Sequence, residues 1–331
     1  DLLMEQLTPL ELGSSTGAMM NNVGKVKNTG VEISLSTVNV QTKNFYWSTT
    51  FSFAKNKNEI LELNGGKEDL IANKWFIGQP IDVIYDYEYA GVCTAEEAKA
   101  YATNDAIKTK FIEGEMKLKD QQQPGEEGYG IIDENDLVVL GHALPKWTGS
   151  VTSNMTYKNF DFSFSIYTKQ GGMVESPFMA EFTNYKDRGR NKLKMDYYIP
   201  AGTPVLNADG SGYTLTTEAH MGAYPYPTNT ANNNYGGGIG WGTDKQTTYV
   251  GNSYVNNSFV KIKNITLGYT FPKSWMSKIG VDHLRLYVNV LNPFTFTSYK
   301  GFDPEWAEAA LNDGTGGPSS RTYQVGVNLK F

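Results

Sequence analysis

Cysteine, long apolar runs and an excess of positive charge are scarce or missing in this sequence. The single cysteine, Cys93, can form neither an intrachain disulfide nor a cysteine-based metal site. No run of about 20 apolar residues occurs, which excludes transmembrane helices. Charged residues make up only 19% of the chain and the net charge is −6. Nucleic acid is therefore not the expected partner, because phosphate contacts need clustered lysine and arginine.

Aromatic residues and glycine are abundant instead. The 21 tyrosines, 16 phenylalanines and 34 glycines favour strands joined by long polar connections over helices. A membrane-spanning barrel fits this composition, because each of its strands needs only about 10 residues of alternating character. The chain begins at Asp1 without an initiator methionine or a signal-peptide core, so we expect further sequence upstream.

Alternation with a period of two is clearest at the C-terminus. There one face is apolar and the opposite face is polar, with Tyr323, Val325, Val327, Leu329 and Phe331 on the first and Gln324, Gly326, Asn328 and Lys330 on the second. Such a strand suits a barrel wall between lipid and an aqueous lumen, and Phe331 would be the barrel-terminal assembly signal. The same alternation recurs in Val31–Val40, Phe45–Phe53, Trp147–Tyr157, Phe160–Ile166, Phe259–Phe271 and Leu284–Val290. Within Phe259–Phe271 the parity slips, which predicts a bulge near Lys263–Asn264.

The predicted strands are joined by alternating short and long connections. The short ones are Gln41–Asn44, Lys158–Asn159 and Pro272–Asp282, and the long ones are Lys57–Lys146, Gly171–Ser258 and roughly Ser298–Ser320. Outer-membrane barrels have short periplasmic turns and long extracellular loops. With a periplasmic C-terminus, every short link falls at the periplasmic end, so we expect extracellular loops at about residues 1–29, 57–146, 171–258 and 298–320.

Three local signals lie within the long connections. Thr94–Glu97 is a capping box that predicts a short helix to about Tyr101. Asp303–Glu305 resembles a helix start, with the helix ending near Asn312. Trp75–Tyr89 could form a small hairpin. Rings near the predicted strand ends are expected at the membrane interface, namely Trp47, Trp147, Phe160, Tyr269 and Phe271.

Several stretches, in order along the whole chain, carry a resemblance to a known family. They include NVGKVKNTGVEISL (Asn22–Leu35), WFIGQPIDVIYDYEYAGV (Trp75–Val92), VVLGHALPKWTGSV (Val138–Val151), FVKIKNITLGYTFP (Phe259–Pro272), LRLYVNVLNPFTFT (Leu284–Thr297) and the terminal VGVNLKF. With these motifs the chain resembles the C-terminal third of SusC/RagA-family TonB-dependent outer-membrane transporters.

This resemblance implies an all-β fold, an antiparallel transmembrane barrel of 22 strands of which this chain supplies about the last seven. The N-terminal plug, the signal peptide and the segment that engages TonB–ExbB–ExbD would lie outside this sequence. The implied activity is active import of nutrients across the outer membrane of a Gram-negative bacterium, with oligosaccharides as the first expectation and peptides as the second. A SusD-like surface lipoprotein would cover the loops, with possible dimers of transporter–lid pairs, and no bond chemistry is implied.

Candidate contact residues lie in the long connections. Trp75, Tyr235 and Trp241 could stack on a substrate or could pin their loops to the barrel rim. The family often has a calcium loop before Ile131, but here Asp120 is followed by QQQPGEEGYG, which removes the middle ligands. Asp133 and Asp136 remain weak calcium candidates beside the alternative of a solvated acidic turn. No catalytic residue and no cofactor site is indicated.

Two alternatives remain open at this stage. A secreted, soluble β-sandwich that binds glycans would have similar alternating strands, but its apolar faces would pack against a second sheet. A passive porin would share the barrel and would lack the plug. Inward residues on the predicted strands (Tyr46, Ser48, Asp161, Ser163, Arg285, Tyr287 and Asn289) are polar and of mixed charge, which suits either a glycan or a peptide.

Overall fold

The computed structural model describes residues 2–7, 18–63, 66–176, 196–225, 254–301, 303–307 and 319–331. In chain order its strands are β1 (Leu2–Leu7), β2 (Ala18–Gln41), β3 (Phe45–Glu62), β4 (Val83–Tyr87), β5 (Tyr89–Val92), β6 (Met116–Leu118), β7 (Leu137–His142), β8 (Trp147–Tyr157), β9 (Phe160–Gln170), β10 (Met173–Glu175), β11 (Pro204–Leu206), β12 (Tyr213–Leu215), β13 (Tyr254–Asn256), β14 (Phe259–Thr270), β15 (His283–Thr297) and β16 (Thr322–Lys330). The helices are α1 (Ala95–Thr103) and α2 (Lys273–Met276), with 3-10 turns at Ile71–Asn73, Glu134–Asp136, Ser277–Ile279 and Pro304–Trp306.

The long strands form one antiparallel sheet of eight, in the order β1-β2-β3-β8-β9-β14-β15-β16. We call these eight the wall strands. Each wall strand pairs with the wall strand that follows it in the chain, and every pair is antiparallel. The short and long connections alternate as the sequence predicts, so all the long ones leave the same edge of the sheet. We call this edge the long-loop end and the opposite edge the short-link end. Among the described residues, no helix has the length and apolar character needed to cross a membrane.

Strands β2 and β3 extend further than their apolar alternation. The register continues from Val31 opposite Lys55 to Lys25 opposite Glu62. The sequence-based strand starts and ends here were therefore wrong, since residues 18–29 and 57–62 belong to the ladder. Strand β1 is the eighth strand, and it overlaps Asp1–Met4, the segment expected from sequence to end the strand before the predicted seven. The reason is physical: beyond the apolar band both faces of a strand are wetted, so polar lysine and asparagine replace the alternation that marks a strand.

The register brings the predicted apolar faces together. Val325, Val288, Leu267, Phe162 and Met155 are successive direct neighbours on β16, β15, β14, β9 and β8. In an antiparallel sheet such neighbours lie on the same face. Exposed fractions of 81% for Val325 and 52% for Leu267 show that no second sheet of the described chain covers this face. A soluble sandwich would bury these side chains, so this alternative does not fit the structure.

The bulge predicted near Lys263–Asn264 is confirmed. The register of β14 shifts between Ile262 and Asn264 against both β9 and β15. As a result Ile262 lies opposite Ile166 and Phe294, on the same apolar face as Leu267. The extra residue of the bulge shifts the alternation by one position, so apolar side chains remain on the outer face on both sides of the bulge.

Aromatic side chains mark both ends of the apolar face. At the short-link end, the Phe45 and Tyr157 ring centroids lie 6.4 Å apart and those of Phe160 and Tyr269 lie 4.7 Å apart. At the long-loop end, the Phe53 and Trp147 rings lie 5.8 Å apart. Two aromatic rows that bound an exposed apolar band are the arrangement of a membrane-spanning barrel wall.

The first long connection folds as a small unit of its own. The capping box is confirmed, because the Thr94 hydroxyl accepts from the Glu97 N–H at 3.1 Å and α1 follows. The hairpin expected within Trp75–Tyr89 was wrong, since β4 pairs with β7 and β5 pairs with β6. These partners are distant in sequence, so no local pattern could reveal them.

Candidate functional site

The inner face of the sheet is lined by small polar side chains. Ser34, Ser52, Ser150, Tyr167 and Lys261 are successive direct neighbours across five strands of the sheet. Side-chain hydrogen bonds cross this face between Thr266 and Asn289 at 2.9 Å and between Asn289 and Gln324 at 2.9 Å. The residues predicted to point inward therefore lie on the face opposite the apolar band, and a wall of short hydroxyl and amide side chains suits a wide aqueous lumen.

An ion pair crosses this inner face near the short-link end. Arg285 Nε donates to Asp161 Oδ1 at 2.9 Å, and Arg285 Nη2 donates to Asp161 Oδ2. The two side chains pass over Gly268, where an added Cβ would lie 2.5 Å from both. The guanidinium carbon of Arg285 also lies 4.9 Å from the centroid of the Tyr287 ring. That ring lies over Gly326, where an added Cβ would be only 2.2 Å from Tyr287 Cζ. Both glycines therefore make room for side chains from neighbouring strands.

A buried lysine holds the last long connection against the inner face. Lys261 is 1% exposed, and its Nζ donates to Asp303 Oδ2 at 2.8 Å, to Glu305 Oε2 at 2.5 Å and to Ser319 Oγ at 3.1 Å. Glu305 also pairs with Lys263 at 2.5 Å. We call Lys261, Lys263, Asp303, Glu305 and Ser319 the lysine latch. It folds this connection over the lumen at the long-loop end.

Sequence analysis gave residues 303–305 one role, the start of a helix. That start is confirmed, because Asp303 Oδ1 accepts from the Glu305 N–H at 3.0 Å and a 3-10 turn follows at Pro304–Trp306. The predicted end near Asn312 lies outside the described residues. Sequence reasoning missed the latch, because the pairing with Lys261 spans 42 positions and only the fold brings the two segments together.

The latch is expected to withstand mild acid. Burial alone would raise the pKa of Asp303 and Glu305, but the hydrogen bonds and charge of the latch lysines hold both pKa values below the ordinary 3.8 and 4.5. A lowered carboxyl pKa adds stability above the ordinary pKa and loses it as the pH falls through the folded value. We expect the amide protection factors within Asp303–Ala307, which correct for the pH dependence of intrinsic exchange, to change little between about pH 7 and pH 5 and to fall below about pH 4. Release of the segment near pH 6 would contradict this assignment.

Trp75 packs on the rim of the barrel. It lies against the buried side chains Ile60 and Leu63 at the end of β3, together with Leu70 and Ile77. Its backbone pairs with Leu70 in both directions, at 2.9 and 3.1 Å. This is the rim-pinning role that the sequence left open for Trp75, and its contact with substrate stays a prediction. Tyr235 and Trp241 lie outside the described residues.

Asp133 and Asp136 organise a turn of the first long connection. Asp133 Oδ1 accepts from the Asn135 N–H at 2.8 Å. Asp136 is fully buried, and its carboxylate accepts from the Gln121 N–H at 2.7 Å and the Asp133 N–H at 2.8 Å. The interpretation as a solvated acidic turn was therefore wrong for Asp136, whose charge is solvated by main-chain amides rather than by water.

An amide occupies the space between two carboxylates in this turn. With its nitrogen oriented inward, the Gln122 side chain donates to Asp120 Oδ1 at 2.9 Å and to Asp136 Oδ1 at 3.0 Å. Asp120 Oδ2 accepts from the Gly130 N–H at 2.6 Å. Within the described residues, no three His, Cys, Asp or Glu side chains are grouped to hold a metal ion. The calcium candidates thus gain no geometric support, and calcium stays an untested prediction.

Replacing Asp136 should loosen this turn. Asp136→Asn keeps the shape but replaces one acceptor with an N–H donor, so a buried backbone amide loses its partner at a cost of about 1–3 kcal/mol. We expect faster amide exchange at Gln121 or Asp133 in the full-length protein. The exposed neighbour Glu134 provides the control, and Glu134→Gln should leave exchange unchanged. Equal exchange in both variants would show that the buried carboxylate does not hold the turn.

The thiol of Cys93 belongs to the small core of the same connection. It is fully buried with Phe111, Met116 and Leu118. Burial raises the pKa of this thiol to about 11, so it stays protonated and unreactive at neutral pH. Phe331 has the opposite environment: it is 81% exposed and directly follows β16. Its role as an assembly signal stays a prediction.

A groove opens among the loops at the long-loop end. It has a volume of about 670 Å³ and lies between the first and second long connections. Its lining is mainly aliphatic and aromatic, with Glu88, Tyr89, Val138, Val139, Leu140, Met173, Ala223, Tyr224, Tyr254 and Val255. We call it the tyrosine groove. Sequence analysis did not single out these residues, which come from five separate segments.

Comparison with known proteins finds relatives that match the whole chain. TonB-dependent receptor P3 of Formosa agariphila is 29% identical over 100% of this chain and 31% of the receptor. TonB-dependent receptor SusC of Bacteroides thetaiotaomicron is 27% identical over 100% of this chain and 29% of the receptor. The chain thus spans about a third of the length of the curated relatives it matches. No family model matches it.

Solved structures agree on the fold. The structure of the RagAB peptide transporter aligns with 100% of this chain and 32% of its own, at a TM-score of 0.62 and 22% sequence identity. The relatives are receptors and transporters by name rather than enzymes. The chain is therefore similar over its whole length to SusC-type TonB-dependent receptors and has the fold of a segment of the RagAB transporter, which confirms the SusC/RagA resemblance carried by its motifs.

Proposed function

We propose that this chain is part of an importer that takes up nutrients across the bacterial outer membrane. The observation that carries the proposal is the two-sided sheet, whose exposed apolar band would face lipid while its polar face would line the lumen. The sequence relatives named as TonB-dependent receptors support the same activity. Neither edge strand, β1 or β16, could face lipid unpaired, so further strands must complete the wall.

Energy for import would come from TonB–ExbB–ExbD through a plug outside this sequence. A SusD-like surface lipoprotein would cover the long-loop end and deliver the substrate, and two transporter–lid pairs could associate. In this arrangement the long connections are extracellular and the C-terminus is periplasmic. The part played by the described residues is to form the wall, to present loops to the lid and to line the cavity beneath it.

The proposed substrates are oligosaccharides or peptides. One curated relative bears the name SusC, and the solved structures with the same fold are of a peptide importer. The inner face is polar, and the Asp161–Arg285 ion pair that crosses it brings no net charge. This wall would allow either class to pass, so selectivity would reside in the loops.

The test of active import is its dependence on TonB. Cells expressing the full-length transporter with its lid should take up labelled substrate, and inactivating TonB should reduce uptake to the level of cells without the transporter. A passive porin would instead let uptake continue in the absence of TonB. Uptake that is independent of TonB would therefore reject the proposal.

A further inference from the structure

We propose that the tyrosine groove binds an apolar side chain of an imported peptide, with a positively charged amino group of the same peptide at its acidic rim. This inference rests on the proposed import function and adds a binding site and a substrate class to it. Three properties of the described residues support it: the groove is preformed, its walls are mainly apolar, and carboxylates lie in or beside it.

Contacts between two separate connections hold the groove open. The Tyr89 hydroxyl donates to the Ala223 carbonyl at 2.8 Å, and the Tyr254 hydroxyl donates to Asp86 Oδ2. Strand β10 pairs with β13, which joins Met173 to the segment of Tyr254. A preformed site loses little conformational entropy on binding, and a volume of about 670 Å³ is within the usual range for ligand pockets.

The walls offer apolar contact and little hydrogen bonding. Aliphatic side chains predominate, and the hydroxyls of Tyr89 and Tyr254 already donate to protein acceptors. What the tyrosines present to the groove is therefore mainly ring surface. A sugar would have to bury hydroxyls there without partners, at an unfavourable free energy, whereas an apolar side chain would not. The walls thus favour a peptide side chain over a glycan.

One carboxylate lines the groove, and two others neighbour its Tyr254. Glu88 lines the groove and pairs with Lys119 at 2.8 Å. Asp86 accepts from Tyr254, and Glu175 belongs to β10 directly across from Tyr254. Within the described part of the chain, neither Asp86 nor Glu175 has an ion-pair partner. Burial and the charge of Asp86 raise the pKa of Glu175, and Lys74 offsets part of this shift, so the two neighbouring carboxylates still favour a cation beside them.

The inference predicts a preference that tetrapeptides can measure. The full-length transporter, purified with its lid, would be titrated with Lys-Phe-Lys-Phe, Lys-Ser-Lys-Ser, Glu-Phe-Glu-Phe and maltohexaose. We expect the first peptide to bind most tightly, by at least about tenfold over each of the others. Tighter binding of Lys-Ser-Lys-Ser or of maltohexaose would overturn the assignment of the groove.

Tyr224→Ala should weaken binding of Lys-Phe-Lys-Phe by about tenfold, because it removes one aromatic wall. The substitution spares the backbone bonds that hold this segment, from Tyr198 N–H to the Tyr224 carbonyl at 2.7 Å and from Tyr224 N–H to the Asp196 carbonyl at 3.0 Å. The matched control is Tyr213→Ala, at an exposed tyrosine of β12 that does not line the groove. The control should bind as the unsubstituted protein does.

Two further variants guard against a folding defect. Met173→Ala should weaken the same peptide, and Glu88→Gln should reduce the preference for the lysine peptide over the glutamate peptide. Heat-modifiable migration on a detergent gel would show that each barrel is intact. If all three groove variants bind as the unsubstituted protein does while TonB-dependent uptake persists, the groove assignment fails and the import function stands. If uptake does not depend on TonB, the import function itself fails.

Discussion

Leu267→Lys should destabilise the barrel from its outer face. Leu267 lies in the apolar band, 52% exposed, between Phe162 and Val288 on the neighbouring strands and next to the aromatic pair Phe160–Tyr269 on the same face. A lysine on the lipid face costs about 2–4 kcal/mol at the bilayer midplane and less towards the interfaces, so we expect a cost of roughly 1–3 kcal/mol here. We expect a lower midpoint of urea unfolding in lipid vesicles and a smaller fraction of heat-modifiable, folded protein in the outer membrane.

The neighbouring residue provides the control for this change. Thr266 points to the polar face, where its hydroxyl donates to Asn289 Oδ1 at 2.9 Å. Thr266→Lys introduces the same charge one position away, but it removes only this hydrogen bond, at a cost of about 1 kcal/mol. Equal destabilisation by the two variants would show that the apolar band does not face hydrocarbon, and the transporter assignment would then lose its physical basis.

Lys261→Met should release the last long connection from the inner face. The substitution leaves Asp303, 7% exposed, and Glu305 without their shared cation. Removing one partner of a buried ion pair costs about 3–5 kcal/mol, because the remaining charge keeps its desolvation penalty. We expect amide exchange at Asp303–Ala307 to rise sharply in the full-length protein, while the wall strands keep their protection.

Two variants test whether the buried charge is the cause. Lys263→Met removes a lysine that is 37% exposed and should cost less than about 1 kcal/mol. Adding Asp303→Asn and Glu305→Gln to Lys261→Met should restore part of the protection, because no unpaired carboxylate then remains and Lys263, which loses Glu305, is 37% exposed and can be hydrated. Unchanged exchange in Lys261→Met would mean that another contact holds the segment, of which the buried Tyr299–Ser176 hydrogen bond at 2.8 Å is the first candidate.

The wall of this protein could be predicted because its information is local. In β9, alternate residues such as Phe162 and Phe164 lie on the apolar face and those between lie on the polar face, so each strand shows the period of two by itself. The bulge at Lys263 was visible for the same reason, as a slip in parity. Near Lys25 and Lys57 apolar and polar residues no longer alternate, so the strand ends could not be predicted there.

The candidate sites could not be predicted to the same extent, because their contacts join distant segments. The lysine latch pairs β14 with a turn after β15, and the tyrosine groove joins residues from Glu88 to Val255. Asp136 looked like an exposed acid, since nothing in its neighbours shows that Gln121 and Asp133 donate their amides to it.

The sequence by itself determined that the chain forms antiparallel strands with one apolar and one polar face, and that its long connections all leave one edge. It could do so because side-chain alternation is a property of each strand alone. Only the tertiary structure decided which loop residues meet, where Lys261 finds its carboxylates and where a ligand-sized groove opens. These features depend on how segments that are distant in sequence are placed against one another. The same local sequence pattern is compatible with many such placements, so it cannot specify one.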